Sequence, residues 1–130
     1  MAETGRVALI TGGVRGIGRA IGLDLARAGW AVAFCYRTSE AAAVETRAAL
    51  EAAGARALAV RADVSDPAVA EDLVCRVEDA WGRIDALVHC AGPYHRVELL
   101  QETPAGWREM IDNNLHPVFY VSRAAIPGMT

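Results

Sequence analysis

A chain of 130 residues with 53% hydrophobic and 22% charged side chains is one domain, long enough to bury a core but short for a nucleotide-dependent enzyme. Its net charge of −3 includes thirteen basic residues scattered along the chain, every one an arginine; with no basic stripe, nucleic acid and anionic lipid are excluded as expected partners. No apolar run approaches the ~18 residues of a membrane helix, Glu3 and Gly5 stand where a signal peptide would carry its apolar stretch, and Cys35, Cys75 and Cys90 are odd in number and far apart. Reduced thiols in a cytoplasmic setting are therefore the expectation, and His89, His95 and His116, without ligand spacing, give no reason to expect a metal.

Arg6 to Thr11 reads as a first strand running into Thr11-Gly12-Gly13-Val14-Arg15-Gly16-Ile17-Gly18. A short buried strand, a glycine-rich turn and a helix are the parts that hold a dinucleotide pyrophosphate. Gly12 lets the chain leave the strand tightly, Gly16 lets backbone approach phosphate, and Gly18 lets the helix pack close to the sheet. The first N–H groups of that helix would face the ligand's negative charge. The helix predicted over Gly16 to Ala28 places Ile17, Ala20, Ile21 and Leu25 on one face, with Gly29 just beyond its end.

Ala31 to Tyr36 is a second strand, and a helix from about Glu40 to Ala53 ends at Gly54. Arg56 to Ala62 makes a third strand. Asp63-Val64-Ser65-Asp66-Pro67 then opens a helix with a capping residue followed by proline, and this helix buries Val69, Leu73, Val77 and Trp81 before Gly82. Ile84 to His89 is a fourth strand. After an irregular stretch, Thr103-Pro104 starts a long helix reaching roughly Gly128. Pro117 within it has no N–H for the Asn113 carbonyl, so a local break is expected beside Asn114. Helices of this length between short apolar strands imply right-handed crossovers and a parallel sheet.

In order and spacing, Thr11-Gly12-x-x-x-Gly16-x-Gly18, Asp63-Val64, Ala91-Gly92 and Asn114-Leu115 resemble the short-chain dehydrogenase/reductases, especially members similar to 3-oxoacyl-carrier-protein reductases. The resemblance covers essentially the whole chain. It implies a Rossmann-type α/β fold whose parallel four-stranded sheet has the order 3-2-1-4 and helices on both faces, truncated relative to the full doubly wound family fold. It also implies a set of roles. Asp63 would bond the adenine amine, Val64 would offer backbone to the adenine ring, and Gly92 would lie under the nicotinamide ribose. Gly13, Ile17, Cys90 and Ala91 would join Thr11, Gly12, Gly16 and Gly18 around the cofactor. Asn114 would be the catalytic residue whose main-chain carbonyl holds a water of the proton relay. One departure stands out: the family's Asn-Asn-Ala-Gly reads His89-Cys90-Ala91-Gly92, which puts in doubt the bonds made by the first two asparagines. Cys90 is either a reactive thiol in the nicotinamide pocket or, as we expect, a buried structural cysteine.

Charge argues for NADP over NAD. NAD-selective sites end the second strand in a carboxylate that accepts from the ribose 2′-OH. Here Tyr36 and Arg37 stand at that place, no acid follows until Glu40, and Arg15 adds a cation on the same side. An arginine fork suits a phosphate dianion.

The family's chemistry needs a serine and a tyrosine four residues before a lysine. Tyr36, Tyr94 and Tyr120 are followed at that distance by Glu40, Glu98 and Ala124, and there is no lysine to substitute. Tyr94, two residues past Gly92, is the one tyrosine placed to replace the missing acid. The expected function is thus the cofactor-binding part of an NADP-dependent oxidoreductase acting on a ketone or 3-oxoacyl thioester, inactive alone. A carbonyl substrate would enter only with a completing C-terminal part. Self-association is expected through a helix face carrying Met110, Ile111, Val118 and Val121. The alternative is a dinucleotide-binding sensor or interaction module without catalysis. An S-adenosylmethionine methyltransferase would want an acid ending the second strand, against Tyr36-Arg37, and a P-loop hydrolase is excluded by the absence of Gly-Lys-Ser/Thr.

Overall fold

Apolar runs too short for helices and bounded by turn residues become the strands, and the computed structural model, which describes residues 5–93 and 96–129, arranges them as one sheet. The strands β1 (Val7–Thr11), β2 (Ala31–Tyr36), β3 (Ala57–Arg61) and β4 (Ala86–His89) pair in parallel in the order β3-β2-β1-β4. Between and after them run α1 (Gly16–Arg27), α2 (Glu40–Ala52), α3 (Pro67–Trp81), α4 (Pro104–Asn114) and α5 (His116–Met129). This is the expected topology.

Every residue of β1 is buried, as a central parallel strand covered on both faces requires. The period-2 alternation of the strands sorts the core into two layers. Val7, Leu9, Ala33, Cys35 and Val60 pack with Leu73, Val77 and Val121 on the face covered by α3 and α5. Ile10, Val32 and Phe34 pack with Ala26, Ala43 and Leu50 on the face covered by α1 and α2. α3 begins as predicted, with the Asp66 carboxylate accepting from Ala68 N–H at 2.9 Å and Pro67 at the first helical position. Leu73 and Val77 are buried in it, and Val69 and Trp81 are partly so.

Three expectations need correction. Of the face expected for α1, Ile21 and Leu25 are partly buried against the core, but Ala20 is exposed and Ile17 is 75% exposed; the fully buried positions are Gly18, Gly22 and Ala26. The helix lies so close to the sheet that only small residues fit beneath it. At Gly22 a Cβ would stand 3.4 Å from Ile10 and 3.6 Å from Val32. Val121, expected on an uncovered face, is fully buried where α5 packs on α3, while Met110 and Ile111 are half-buried and only Val118 is exposed. The long last helix is two helices. Leu115 N–H donates to Ile111 at 2.9 Å, but Val118 N–H turns to Leu115 at 3.2 Å. Pro117 has no N–H, so among the described residues the carbonyls of Asn113 and Asn114 accept no backbone bond. No helix among the described residues is long and apolar enough to cross a membrane.

Candidate functional site

Strand order 3-2-1-4 puts consecutive crossovers on opposite sides of β1, which opens a crevice beyond the carboxyl ends of the strands. A cavity of about 470 Å³ lies there. Of the sequence-predicted site residues, Gly12, Arg15, Tyr36, Arg37, Asp63, Val64, Cys90, Ala91 and Gly92 line it together. Thr11, Gly13, Gly16, Ile17, Gly18 and Asn114 are not in its wall, and Ile17 stands exposed to solvent.

Thr11 is buried and works sideways. Its hydroxyl accepts from Cys90 N–H at 3.2 Å and Ala91 N–H at 3.3 Å, which ties the end of β1 to the end of β4. Gly12, at φ +71°, passes so close to that segment that a Cβ would lie 2.7 Å from the Cys90 carbonyl oxygen. Gly13 abuts Phe34, and Gly18 abuts the Gly12 carbonyl rather than the sheet, so α1 packs directly on its own preceding turn. Gly16 is different: the space in front of it is open. Arg15 caps α1 without a side-chain bond and no acid occupies the first turn, so no side chain from within the helix competes for its N–H groups. Open space before uncapped helix N–H groups is suited to an anion.

At the β2–β3 end, Asp63 accepts from the Ser65 hydroxyl at 2.7 Å and Ser65 N–H at 3.1 Å. The Ser65 hydroxyl, against partial burial, holds its carboxyl below the usual range, with Ser65 N–H and Arg37 adding to the effect. It is ionised at neutral pH. Arg15 donates to the Ser39 hydroxyl, and Arg61 Nε donates to the Arg37 carbonyl at 3.0 Å. Neither Arg15 nor Arg37 is within ion-pair distance of a carboxylate among the described residues.

At the β4 end, burial pushes the half-buried Cys90 thiol up, which favours the structural reading over a reactive thiolate. Cys35, also in the wall, is pushed up to about 11, chiefly by burial. His89, at the place of the family's first asparagine, finds Ser122 at 3.0 Å and so joins β4 to α5. Asn114 does not reach the cavity with its side chain. Its Nδ2 donates to Met110 at 3.0 Å and to Pro93 at 3.3 Å, which clamps the segment after Gly92 onto α4. Asn113 and Pro117 line the wall instead. Sequence reading passed over Asn113, Ser39 and Ser65; the break at Pro117 was the one signal for the first, and the others carried none. Tyr94 and His95 lie outside the described residues.

The family model described as short chain dehydrogenase matches residues 6–130, and the chain belongs to that family. It is 39% identical over 123 residues to a 3-oxoacyl-[acyl-carrier-protein] reductase of Synechocystis, spanning 95% of this chain and 50% of that protein. It is 35% identical over 132 residues to the L-rhamnose 1-dehydrogenase (NAD(P)(+)) of a Sphingomonas species, spanning 96% and 49%. Among solved structures, a short chain dehydrogenase from Burkholderia cenocepacia in complex with NADP superposes with a TM-score of 0.90 at 38% identity, covering 96% of this chain and 51% of that one. The chain spans about half the length of the curated relatives it matches.

Proposed function

We propose that these residues form the NADP-binding part of an oxidoreductase that interconverts an alcohol and a carbonyl. The observation that carries the cofactor choice is the pair of arginines, Arg15 and Arg37, in a cavity wall where β2 ends without a carboxylate. A 2′-phosphate would meet two cations there, whereas NAD would find no acceptor for its 2′-OH at that position. Asp63 and Val64 would take the adenine, the first turn of α1 the pyrophosphate, and Cys90 to Gly92 the nicotinamide ribose. When bound, the nicotinamide supplies or accepts the hydride. This chain's own residues bind and orient it, and the Asn114 carbonyl, left without a backbone donor, is available to hold a water.

The substrate class, a ketone or 3-oxoacyl thioester, rests on similarity to relatives such as the Synechocystis reductase. With no lysine in 130 residues, no tyrosine–lysine pair can form within them, so we expect binding without turnover. An unperturbed tyrosine near pKa ~10 needs a neighbouring cation to act as an acid at neutral pH. Leu115 between α4 and α5, and Phe119 and Ile126 on α5, are exposed and form the surface on which self-association would draw.

Calorimetry of the 130-residue chain with NADPH and NADH tests the cofactor choice. NADPH should bind more tightly, and Arg37→Asp should reverse the order, with a loss on the order of 2–4 kcal/mol for NADPH. Equal affinities, unchanged in the variant, overturn it.

A further inference from the structure

The adenosine end of the cavity depends on a residue that is not in its wall. β2 is tied to β3 by main-chain pairing as far as Tyr36, whose carbonyl accepts from Ala62 N–H at 2.9 Å. One residue later the two strands part, β2 turning toward α2 and β3 toward Asp63. The Arg37 carbonyl lies beyond the ladder, and what reaches it is a side chain: Arg61 Nε, at 3.0 Å. Arg61 stands directly opposite Tyr36 in the register, so its guanidinium extends along the strand edge to the next residue of β2. Past that tie, Glu40 N–H closes onto the Thr38 carbonyl at 3.0 Å, and the Ser39 hydroxyl receives Arg15. Arg61 is therefore the last anchor before the short loop that carries Arg37 and meets Arg15.

We propose that Arg61 is a positioning residue for nucleotide preference: by holding the Arg37 carbonyl it fixes the backbone from which the Arg37 side chain faces a 2′-phosphate. The inference rests on the cofactor reading above. Its chemistry is selective by construction. The pyrophosphate cradle at α1 and the wall at Cys90–Gly92 make no use of Arg61, so loosening this loop weakens the phosphorylated dinucleotide and leaves the unphosphorylated one alone. A charged donor also suits the task. Guanidinium bonds to a carbonyl are stronger than neutral ones, and the flat fork loses less freedom on binding than an ammonium stem does.

The test compares wild type, Arg61→Ala and Arg61→Lys by calorimetry with NADPH and NADH, together with deuterium exchange of the amides of residues 37–39. Arg61 is exposed, and circular dichroism establishes that each variant folds. In Arg61→Ala the ratio of NADPH to NADH affinity should fall by roughly fivefold to tenfold, the size of one ordinary hydrogen bond as suits an exposed contact, with NADH affinity unchanged and faster exchange over residues 37–39. A wild-type preference for NADPH that persists in Arg61→Ala overturns the role of Arg61 and leaves the cofactor reading standing. A ratio restored by Arg61→Lys while exchange stays fast shows through-space charge instead of positioning, and overturns it as well. No preference in the wild type removes the cofactor reading and this inference together.

Discussion

One added methyl at Gly92 would strain its backbone and displace the side chain of Asn114 together. The Gly92 backbone sits at φ +133°, a region that costs an L-residue about 1–3 kcal/mol. A Cβ there would also run into Asn114 Oδ1 and stand 3.1 Å from the Asn113 carbonyl oxygen. The amide of Asn114 cannot move freely, because its Nδ2 is bonded to Met110 at 3.0 Å and Pro93 at 3.3 Å. Rotating it away gives up both bonds, at roughly 1 kcal/mol each. Gly92→Ala should therefore destabilise the fold by about 3–5 kcal/mol, a large share of the ~5–15 kcal/mol typical of a domain. Urea unfolding followed by circular dichroism measures it. Asn114→Ala removes the colliding oxygen, so the double variant should be less than additive by about 1–2 kcal/mol, the strained backbone persisting. A Gly92→Ala protein within 1 kcal/mol of wild type, or a strictly additive double variant, refutes the reasoning.

Thr46 is buried, and its hydroxyl donates to the Val14 carbonyl at 2.8 Å, which ties α2 to the glycine turn. Thr46→Val keeps the shape but leaves that carbonyl unpaired, so a loss of about 1–2 kcal/mol and weaker dinucleotide binding are expected; unchanged thermal unfolding contradicts this. His89 lies below its ordinary pKa because burial penalises the charged ring, so the folded protein keeps it neutral while the unfolded chain protonates first. Stability should consequently decline as pH falls through about 6.5 and level off once the folded-state pKa is passed. Urea unfolding between about pH 7.5 and 5 should show this decline in wild type and a flatter profile in His89→Asn, and identical profiles would count against it.

The strands, helices and parallel crossovers were legible because they follow from apolar runs alternating with helix-length segments, whereas the order 3-2-1-4 was legible only through the family resemblance. Contacts made by small residues were not. Hydrophobic periodicity pointed rightly to Leu25 and wrongly to Ile17, and it missed Gly22 and Ala26, whose contribution is closeness rather than apolar bulk. The break at Pro117 was legible from the missing N–H, and with it the free carbonyls. The direction of the Asn114 side chain was not, since it depends on Pro93, which only the fold brings near. Ser39 and Arg61 escaped notice for a related reason. Each acts through one hydrogen bond to a residue 24 positions away, and no local pattern announces such a bond.

Two kinds of contact thus build the crevice, and they differ in what they make costly. Thr11, Gly12 and Gly92 bring main chain against main chain, so the shape of the site is bound up with the packing of β1, β4 and α4. Arg15, Arg37, Ser39 and Arg61 sit on exposed loop ends and strand edges, joined by single side-chain bonds. Surface bonds of that kind contribute little to global stability. On the cofactor reading proposed above they nonetheless decide which charge the adenosine end meets, because the attraction of a 2′-phosphate dianion depends on the position of a cation. On the same reading, nucleotide preference can therefore change without touching the core, whereas Gly12 cannot gain a side chain without displacing the Cys90–Ala91 main chain.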